Sequence, residues 1–131
     1  MFQTINMIKK NLFSIIVALV ILYLSLTSSD TFKDVPLINI PNIDKIIHFL
    51  MYFGFMSVII FENRRFLKNS KKIFLIALIP LFYGILMELL QLILTASRSA
   101  NFYDAVFNSL GILFSILLWL VIKPYIKDTT K

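Results

Sequence analysis

The 131-residue sequence contains no cysteine, only three glycines and four prolines, and few charged side chains, which make up 15% of the chain. The absence of cysteine excludes disulfide bonds and thiolate metal sites. Soluble domains usually contain about 25% charged and about 45–50% apolar residues. Here the apolar fraction is 59% and the mean hydropathy is +0.85, so a water-soluble fold would have too little polar surface. The composition therefore predicts one membrane-embedded domain.

Four apolar stretches are long enough, with their flanks, to cross about 30 Å of hydrocarbon as helices. They predict an all-α, polytopic membrane protein with a single domain over residues 1–131. The first stretch follows a basic head and could also be a cleaved signal peptide. Because Thr27, Ser28 and Ser29 form a poor cleavage site and further spans follow, we expect this helix to be retained. The predicted spans cover residues 11–29, 44–62, 73–95 and 104–122.

The distribution of basic residues indicates how these spans are oriented. All but three of the 13 lysines and arginines lie in the head, in residues 62–72 or in the tail. Because short cytoplasmic loops carry an excess of Lys and Arg, both termini are predicted to be cytoplasmic. Topology thus accounts for the net charge of +6 without nucleic acid as a partner. We expect the cell membrane as the location and membrane lipids as partners.

Polar residues follow one face of three of the predicted helices, since residues three or four apart share a helix face. An ionisable side chain inside a span costs about 2.5–3.5 kcal/mol on insertion scales, so it is expected to face protein or water. The three stripes are Asp44, His48 and Tyr52; Gly84, Glu88, Gln91 and Thr95; and Asp104, Asn108, Gly111 and Ser115.

The three stripes also share a depth in the membrane. The second and fourth spans enter from the outer face, which puts His48 and Asn108 about 6 Å below the first residues of their stripes. The third span exits at that face, which puts Glu88 about 10 Å below Thr95. We therefore predict a polar pocket in the outer half of the bilayer, with Glu88 as its innermost member.

Three sequence elements carry a resemblance to a known family. They are D-K-I-I-H-F-L-M-Y at 44–52, G-I-L-M-E-L-L-Q at 84–91, and an R-x5-D-x3-N-x2-G pattern from Arg98 to Gly111. On these elements residues 44–119 resemble the VanZ-like membrane proteins, named for a teicoplanin-resistance protein of glycopeptide-resistant bacteria. The resemblance implies a small polytopic protein of the bacterial cell envelope. The chain departs from the pattern at Ser115, where a second glycine is expected, and in residues 99–103, which lack an additional acidic residue.

The first functional hypothesis is a binding protein without chemistry. Helix N-termini and guanidinium groups favour anions, and two N-termini face outwards beside Lys45 and Arg98 at the rim of the predicted pocket. The ligand would be an anionic lipid headgroup or a lipid-linked cell-wall precursor, in a glycopeptide-resistance type of role. The predicted binding residues are Asp44, Lys45, Tyr52, Gln91, Arg98 and Asn108.

The second hypothesis is a small intramembrane enzyme acting on a lipid-linked phosphate or pyrophosphate. Its candidate catalytic residues are Glu88, His48 and Asp104. Glu88 or Asp104 would be the general base and His48 the general acid or transient phosphate acceptor. Arg98 would stabilise charge in the transition state. No phosphatase-like motif accompanies these residues, so the sequence leaves enzymatic activity undecided.

Structural roles are the alternatives for the same residues. Glu88 can be a hydrogen-bonded carboxyl between helices, His48 a packing residue and Asp104 a helix cap. The three side chains are also metal-ligand types. No spacing signature such as H-E-x-x-H occurs, however, so the sequence predicts neither a metal nor a cofactor.

Overall fold

The computed structural model describes residues 2–27, 41–94 and 101–126. Within these ranges the chain is helical apart from short connections, and they contain no strand, which confirms the all-α prediction. The described ranges contain, in order, five α-helices and one short 3-10 turn: α1 Phe2–Lys10, α2 Leu12–Leu26, α3 Ile43–Asn63, α4 Ser70–Leu94, α5 Phe102–Ile122, and the turn Lys123–Tyr125.

Two of the long helices, α4 and α5, begin at asparagine side chains that cap them. The Asn69 side chain accepts a hydrogen bond from the Lys72 backbone N–H at 3.0 Å, so α4 starts before the apolar run itself. Asn101 likewise accepts from the Tyr103 backbone N–H at 3.0 Å and caps α5. The cap of α5 is therefore Asn101 rather than Asp104, which lies inside the first turn. Polar caps satisfy amides that a helix start leaves without partners.

Three helices, α3, α4 and α5, are long and apolar enough to cross a membrane, and α2 is a shorter apolar helix of 15 residues. The part of the predicted first span beyond Thr27 lies outside the described residues. Many large apolar side chains are exposed on the outside of the bundle, for example Phe74, Phe82 and Ile93. An apolar exterior of this extent suits lipid rather than water.

The helix pair α3–α5 forms the most extensive packing in the bundle. The pair is parallel, since His48 lies beside Asn108 near one end and Ser57 beside Ser115 further along. A Cβ atom at Gly111 would lie 2.3 Å from the Phe49 carbonyl oxygen. The two backbones therefore touch at this glycine, as in many membrane helix pairs. Ser115, at the position of the second glycine expected from the resemblance, places its hydroxyl 2.8 Å from that of Ser57.

Helices α2 and α4 pack beside this pair and are joined by hydrogen bonds. The Tyr83 hydroxyl of α4 donates to the Ala18 carbonyl at 2.5 Å, and Gln91 donates to the Ser25 carbonyl at 3.0 Å. The order of the two acceptors along α2 matches the order of their donors along α4, so α2 and α4 run in the same direction. The start of α2 meets the end of α3, so this direction is opposite to that of α3 and α5. The buried apolar core between the helices includes Ile21, Tyr52, Phe55, Met56, Ile59, Ile60, Ile73, Met87 and Ile112.

The head of the chain forms a separate helix, α1. The joint between α1 and α2, at Asn11, is held by hydrogen bonds with the end of α3. Glu62 accepts hydrogen bonds from the Phe13 backbone N–H at 2.8 Å, from the Ser14 backbone N–H at 3.1 Å and from the Ser14 hydroxyl. Asn63 donates to the Asn11 side chain at 3.0 Å. A carboxylate at a helix N-terminus is favoured by the positive end of the helix dipole. Glu62 therefore caps α2 from a helix that is distant in sequence.

We expect Glu62→Ala to lower the free energy of unfolding by about 2 kcal/mol, because it removes a charged acceptor from several donors at one helix start. Glu62→Gln keeps one acceptor oxygen and should lose about half of that amount. Thermal unfolding of the purified protein in detergent measures both. A Glu62→Ala variant as stable as the wild type would show that the cap contributes nothing.

Candidate functional site

Three ionisable side chains from three helices meet inside the bundle. They are His48 of α3, Glu88 of α4 and Asp104 of α5, which are only 9%, 8% and 9% exposed. One ligand-type atom of each residue lies within 4.8 Å of the others. The structure thus brings the three candidate catalytic residues of the sequence analysis into one buried cluster, here called the His48 cluster.

The imidazole ring of His48 lies between the two carboxylates. Its Nδ1 donates a hydrogen bond to the side-chain oxygen of Asn108 at 3.0 Å. The same nitrogen is 3.9 Å from Glu88 Oε1, and Nε2 is 3.9 Å from Asp104 Oδ2. These two separations exceed hydrogen-bond length, so they are close electrostatic contacts. With Nδ1 engaged by Asn108, Nε2 is the ring nitrogen that faces Asp104.

Gly84 makes room for two polar side chains one helical turn from Glu88. A Cβ atom at Gly84 would lie 3.1 Å from the Tyr52 ring and 3.4 Å from Asn108 Nδ2. Tyr52 and Asn108 are only 1% and 3% exposed. Within the described part of the chain, the Tyr52 hydroxyl and Asn108 Nδ2 have no hydrogen-bond partner. Such groups are uncommon and cost about 1–3 kcal/mol each, so both donors are available to a ligand.

A groove between α4 and α5 opens beside the His48 cluster. It encloses about 400 Å³, within the range of about 300–1,000 Å³ that small-molecule pockets occupy. Gly84 and Asn108 belong to its wall, so the groove reaches the polar interior. Its remaining lining is mainly apolar and includes the exposed side chains of Phe102, Ile85 and Leu113. The groove therefore suits a ligand with an apolar chain and a polar group, with the polar group at the inner wall of the groove.

The helices α3 and α5 begin at the same end of the bundle, above the cluster. Lys45 Nζ lies 6.0 Å from the centre of the Tyr103 ring and donates to the Asn42 side chain at 2.5 Å. Asp44, in the first turn of α3, is exposed. The positive ends of two helix dipoles and the Lys45 ammonium thus lie together. Arg98, the other predicted rim residue, lies outside the described residues.

The sequence model of the VanZ/LLP1 family matches residues 1–123. The chain belongs to this family. The match covers nearly the whole chain, whereas the resemblance found in the sequence covers residues 44–119. No curated protein and no solved structure matches the chain.

In this VanZ/LLP1 protein, Gln91 occupies a different place from the other predicted binding residues. It is buried, and its amide nitrogen donates to the Ser25 backbone carbonyl of α2. Its position three residues after Glu88 puts it on the same side of α4, but further towards α2. The observed contact links the two helices.

The α4–α5 groove is a part of the candidate site that the sequence does not predict. Its lining is mainly apolar, so no polar stripe marks it. The one available signal was the pair of small residues Ala105 and Ser109, one turn apart on α5, both of which line the groove. Small residues at that spacing leave a depression along a helix surface.

The donor types of the His48 cluster match those of divalent metal sites, but the distances are wider. Ligand atoms of a tetrahedral zinc ion, each about 2.0–2.1 Å from the metal, lie about 3.3 Å apart. In the VanZ/LLP1 chain the closest contacts from His48 to the carboxylates are 3.9 Å, and they involve different ring nitrogens. One metal ion cannot use both nitrogens, but one ligand atom from each of the three residues lies within 4.8 Å of the others. The cluster therefore offers metal-ligand atom types at a wider spacing than a bound zinc ion requires.

Proposed function

We propose that this VanZ/LLP1 protein is a four-span protein of the bacterial cell membrane, with both termini cytoplasmic, that binds a lipid-linked cell-wall precursor or another lipid with an anionic headgroup. The alternating directions of α2, α3, α4 and α5 support four successive crossings. The distribution of Lys and Arg supports the orientation, which puts the His48 cluster in the outer half of the bilayer. At 15 residues, α2 rises about 22 Å and needs its flanks to complete a span.

The adjacency of the His48 cluster and the α4–α5 groove is the observation that carries this proposal. A lipid chain would lie in the apolar groove, and its headgroup would reach the cluster past Gly84. There the Tyr52 hydroxyl and the Asn108 amide would donate to uncharged oxygens of the headgroup, such as those of sugar hydroxyls or amides. The carboxylates of Glu88 and Asp104 would accept hydrogen bonds from sugar hydroxyls or amides, which cell-wall precursors contain.

The charged rim supports an anion at the mouth of the site. The N-termini of α3 and α5 and the ammonium of Lys45 favour a phosphate or diphosphate group there, and Arg98 would add a guanidinium. Holding a precursor in this way would change how much of it a glycopeptide such as teicoplanin encounters. This is the physiological role that we propose, in line with the resistance protein that gives the family its name.

Binding of a radiolabelled polyprenyl-diphosphate disaccharide to the purified protein in nanodiscs tests the proposal. We expect Glu88→Gln and Asn108→Ala to weaken binding at least about tenfold, because each removes hydrogen bonds to a charged or polar ligand group. Ser57→Ala is the matched control, since it removes a polar group elsewhere in the α3–α5 interface. Unchanged binding by folded Glu88→Gln and Asn108→Ala variants would contradict the proposal.

The position of the His48 ring between two carboxylates favours a second candidate, an enzyme acting on lipid-linked phosphate or pyrophosphate. In that case His48 would exchange a proton at Nε2, with Asp104 as its partner. The same labelled precursor distinguishes the two functions. Release of phosphate by the wild type, abolished in His48→Ala, would support the enzyme, whereas stable binding without release would support the binding protein.

A further inference from the structure

A basic groove lies at the other end of α3, about 21 Å along the helix from His48. It encloses about 650 Å³. Four cationic side chains line it: Lys9 and Lys10 from the last turn of α1, and Arg64 and Arg65 directly after α3. The proposed binding of a precursor at the His48 cluster does not involve these residues.

The carboxylate in this groove does not neutralise the four cations. Glu62 is the acidic residue of the lining, and its oxygens accept hydrogen bonds from the Phe13 and Ser14 backbone at the start of α2. Within the described part of the chain, none of the four cations forms a salt bridge. Like charges that line one groove repel one another, and an anion between them would relieve that repulsion.

The joint between α1 and α2 holds the two pairs of cations in a fixed relation. Asn63 donates to Asn11, and Glu62 caps α2, so the end of α1 is attached to the end of α3. The excess of basic residues that sets membrane topology needs no particular geometry. Membrane topology alone therefore does not explain a groove with cations on two walls and a hydrogen-bonded joint between them.

Aromatic side chains accompany the cations at the edge of the groove. Phe13 and Phe61 are 65% and 64% exposed and both line it. The Arg64 guanidinium lies 4.5 Å from the centre of the Phe61 ring. Exposed apolar rings beside cations suit a ligand with a hydrocarbon part next to a phosphate, and a soluble phosphate would leave these rings without a partner.

We propose that this groove is a binding site for the phosphate headgroup of an anionic glycerophospholipid. Lys9, Lys10, Arg64 and Arg65 would contact the phosphate, and Phe13 and Phe61 would contact the start of the acyl chains. Basic pockets between membrane helices on the cytoplasmic side bind anionic headgroups in this way. In the proposed orientation this lipid comes from the cytoplasmic leaflet. The ligand proposed for the His48 cluster comes from the opposite, outer leaflet.

Binding of a fluorescent phosphatidylglycerol to the full-length protein in neutral detergent micelles tests this inference, because a micelle removes any effect of the substitutions on membrane orientation. The test variant combines Lys9→Gln and Lys10→Gln with Arg64→Gln and Arg65→Gln, and a second variant carries the two arginine substitutions alone. We expect the arginine variant to bind at least about tenfold more weakly and the fourfold variant to show no saturable binding. A charge-matched control for the arginine variant is Lys68→Gln with Lys71→Gln, in the same region but outside the groove.

The outcomes separate a site from general attraction. Binding by the control within about twofold of the wild type supports the site, whereas an equal loss in the control and the arginine variant would show only diffuse attraction of anions. Displacement of the probe by inorganic phosphate at constant ionic strength would assign the groove to free phosphate and overturn the lipid. Equal binding of a fluorescent phosphatidylcholine would also overturn the inference, since that headgroup has no net charge. Thermal unfolding of each variant shows that it is folded.

Discussion

Gly111→Ala is expected to lower the free energy of unfolding by about 3 kcal/mol, at the upper end of the usual cost of overpacking. The added Cβ would lie 2.3 Å from the Phe49 carbonyl oxygen and 2.8 Å from the Phe53 backbone nitrogen. Both neighbours are backbone atoms of α3, so no side-chain rotation can relieve the contact. The helices α3 and α5 would have to separate along the face that also carries the His48 cluster.

A second glycine in the same helix pair provides the control. Gly54 lies on α3, and a Cβ atom there would meet nothing within 4 Å. Alanine is favoured over glycine in a helix by about 1 kcal/mol, so Gly54→Ala should leave the stability unchanged or raise it. Unfolding of both variants in detergent, followed by circular dichroism, measures the difference. If Gly111→Ala were as stable as Gly54→Ala, the close contact between α3 and α5 would be wrong.

His48→Ala is the second substitution with a large expected effect. It removes the hydrogen bond to Asn108 and takes away the imidazole that lies 3.9 Å from each of two buried carboxylates. Removing one partner from a buried charged group typically costs about 3–5 kcal/mol. We expect a loss near about 3 kcal/mol, the lower end of that range, because both contacts are longer than hydrogen bonds.

A double substitution distinguishes an electrostatic loss from a packing loss. Adding Glu88→Gln to His48→Ala neutralises one of the carboxylates, so the double variant should regain about 1–2 kcal/mol relative to His48→Ala alone. If the loss came from a cavity at position 48, the cavity would remain in the double variant and the free energy of unfolding would not recover. The absence of any recovery would show that His48 does not interact electrostatically with Glu88. Lys45→Ala, at the half-buried start of the same helix, should change the stability by less than about 1 kcal/mol.

The sequence was sufficient for the three long helices and for the faces that carry the polar residues, but it did not predict α1, the helix of the head. Apolar runs predict α3, α4 and α5 because the membrane leaves few alternatives to a helix. The spacing of His48, Glu88 and Asp104 predicts their faces because three- and four-residue steps return to the same side of a helix.

Neighbours across helices could not be obtained in the same way. The face of α4 that carries Glu88 also carries Gln91, and only the position of α2 decides that Gln91 donates to the Ser25 carbonyl. Likewise, Glu62 is one acid in a basic segment until α2 is placed against it. Periodicity gives the direction of a side chain on its own helix, whereas the identity of its partner depends on the packing of all the others.

The order of the helices along the chain has a consequence for biogenesis. His48 is synthesised first, Glu88 follows about 40 residues later, and Asp104 and Asn108 come last. Helices α3 and α5 therefore cannot pack against each other until α4, which lies between them in the sequence, has been synthesised. Until α5 is synthesised, His48 of α3 can meet Glu88 of α4, but its contacts with Asn108 and Asp104 cannot form.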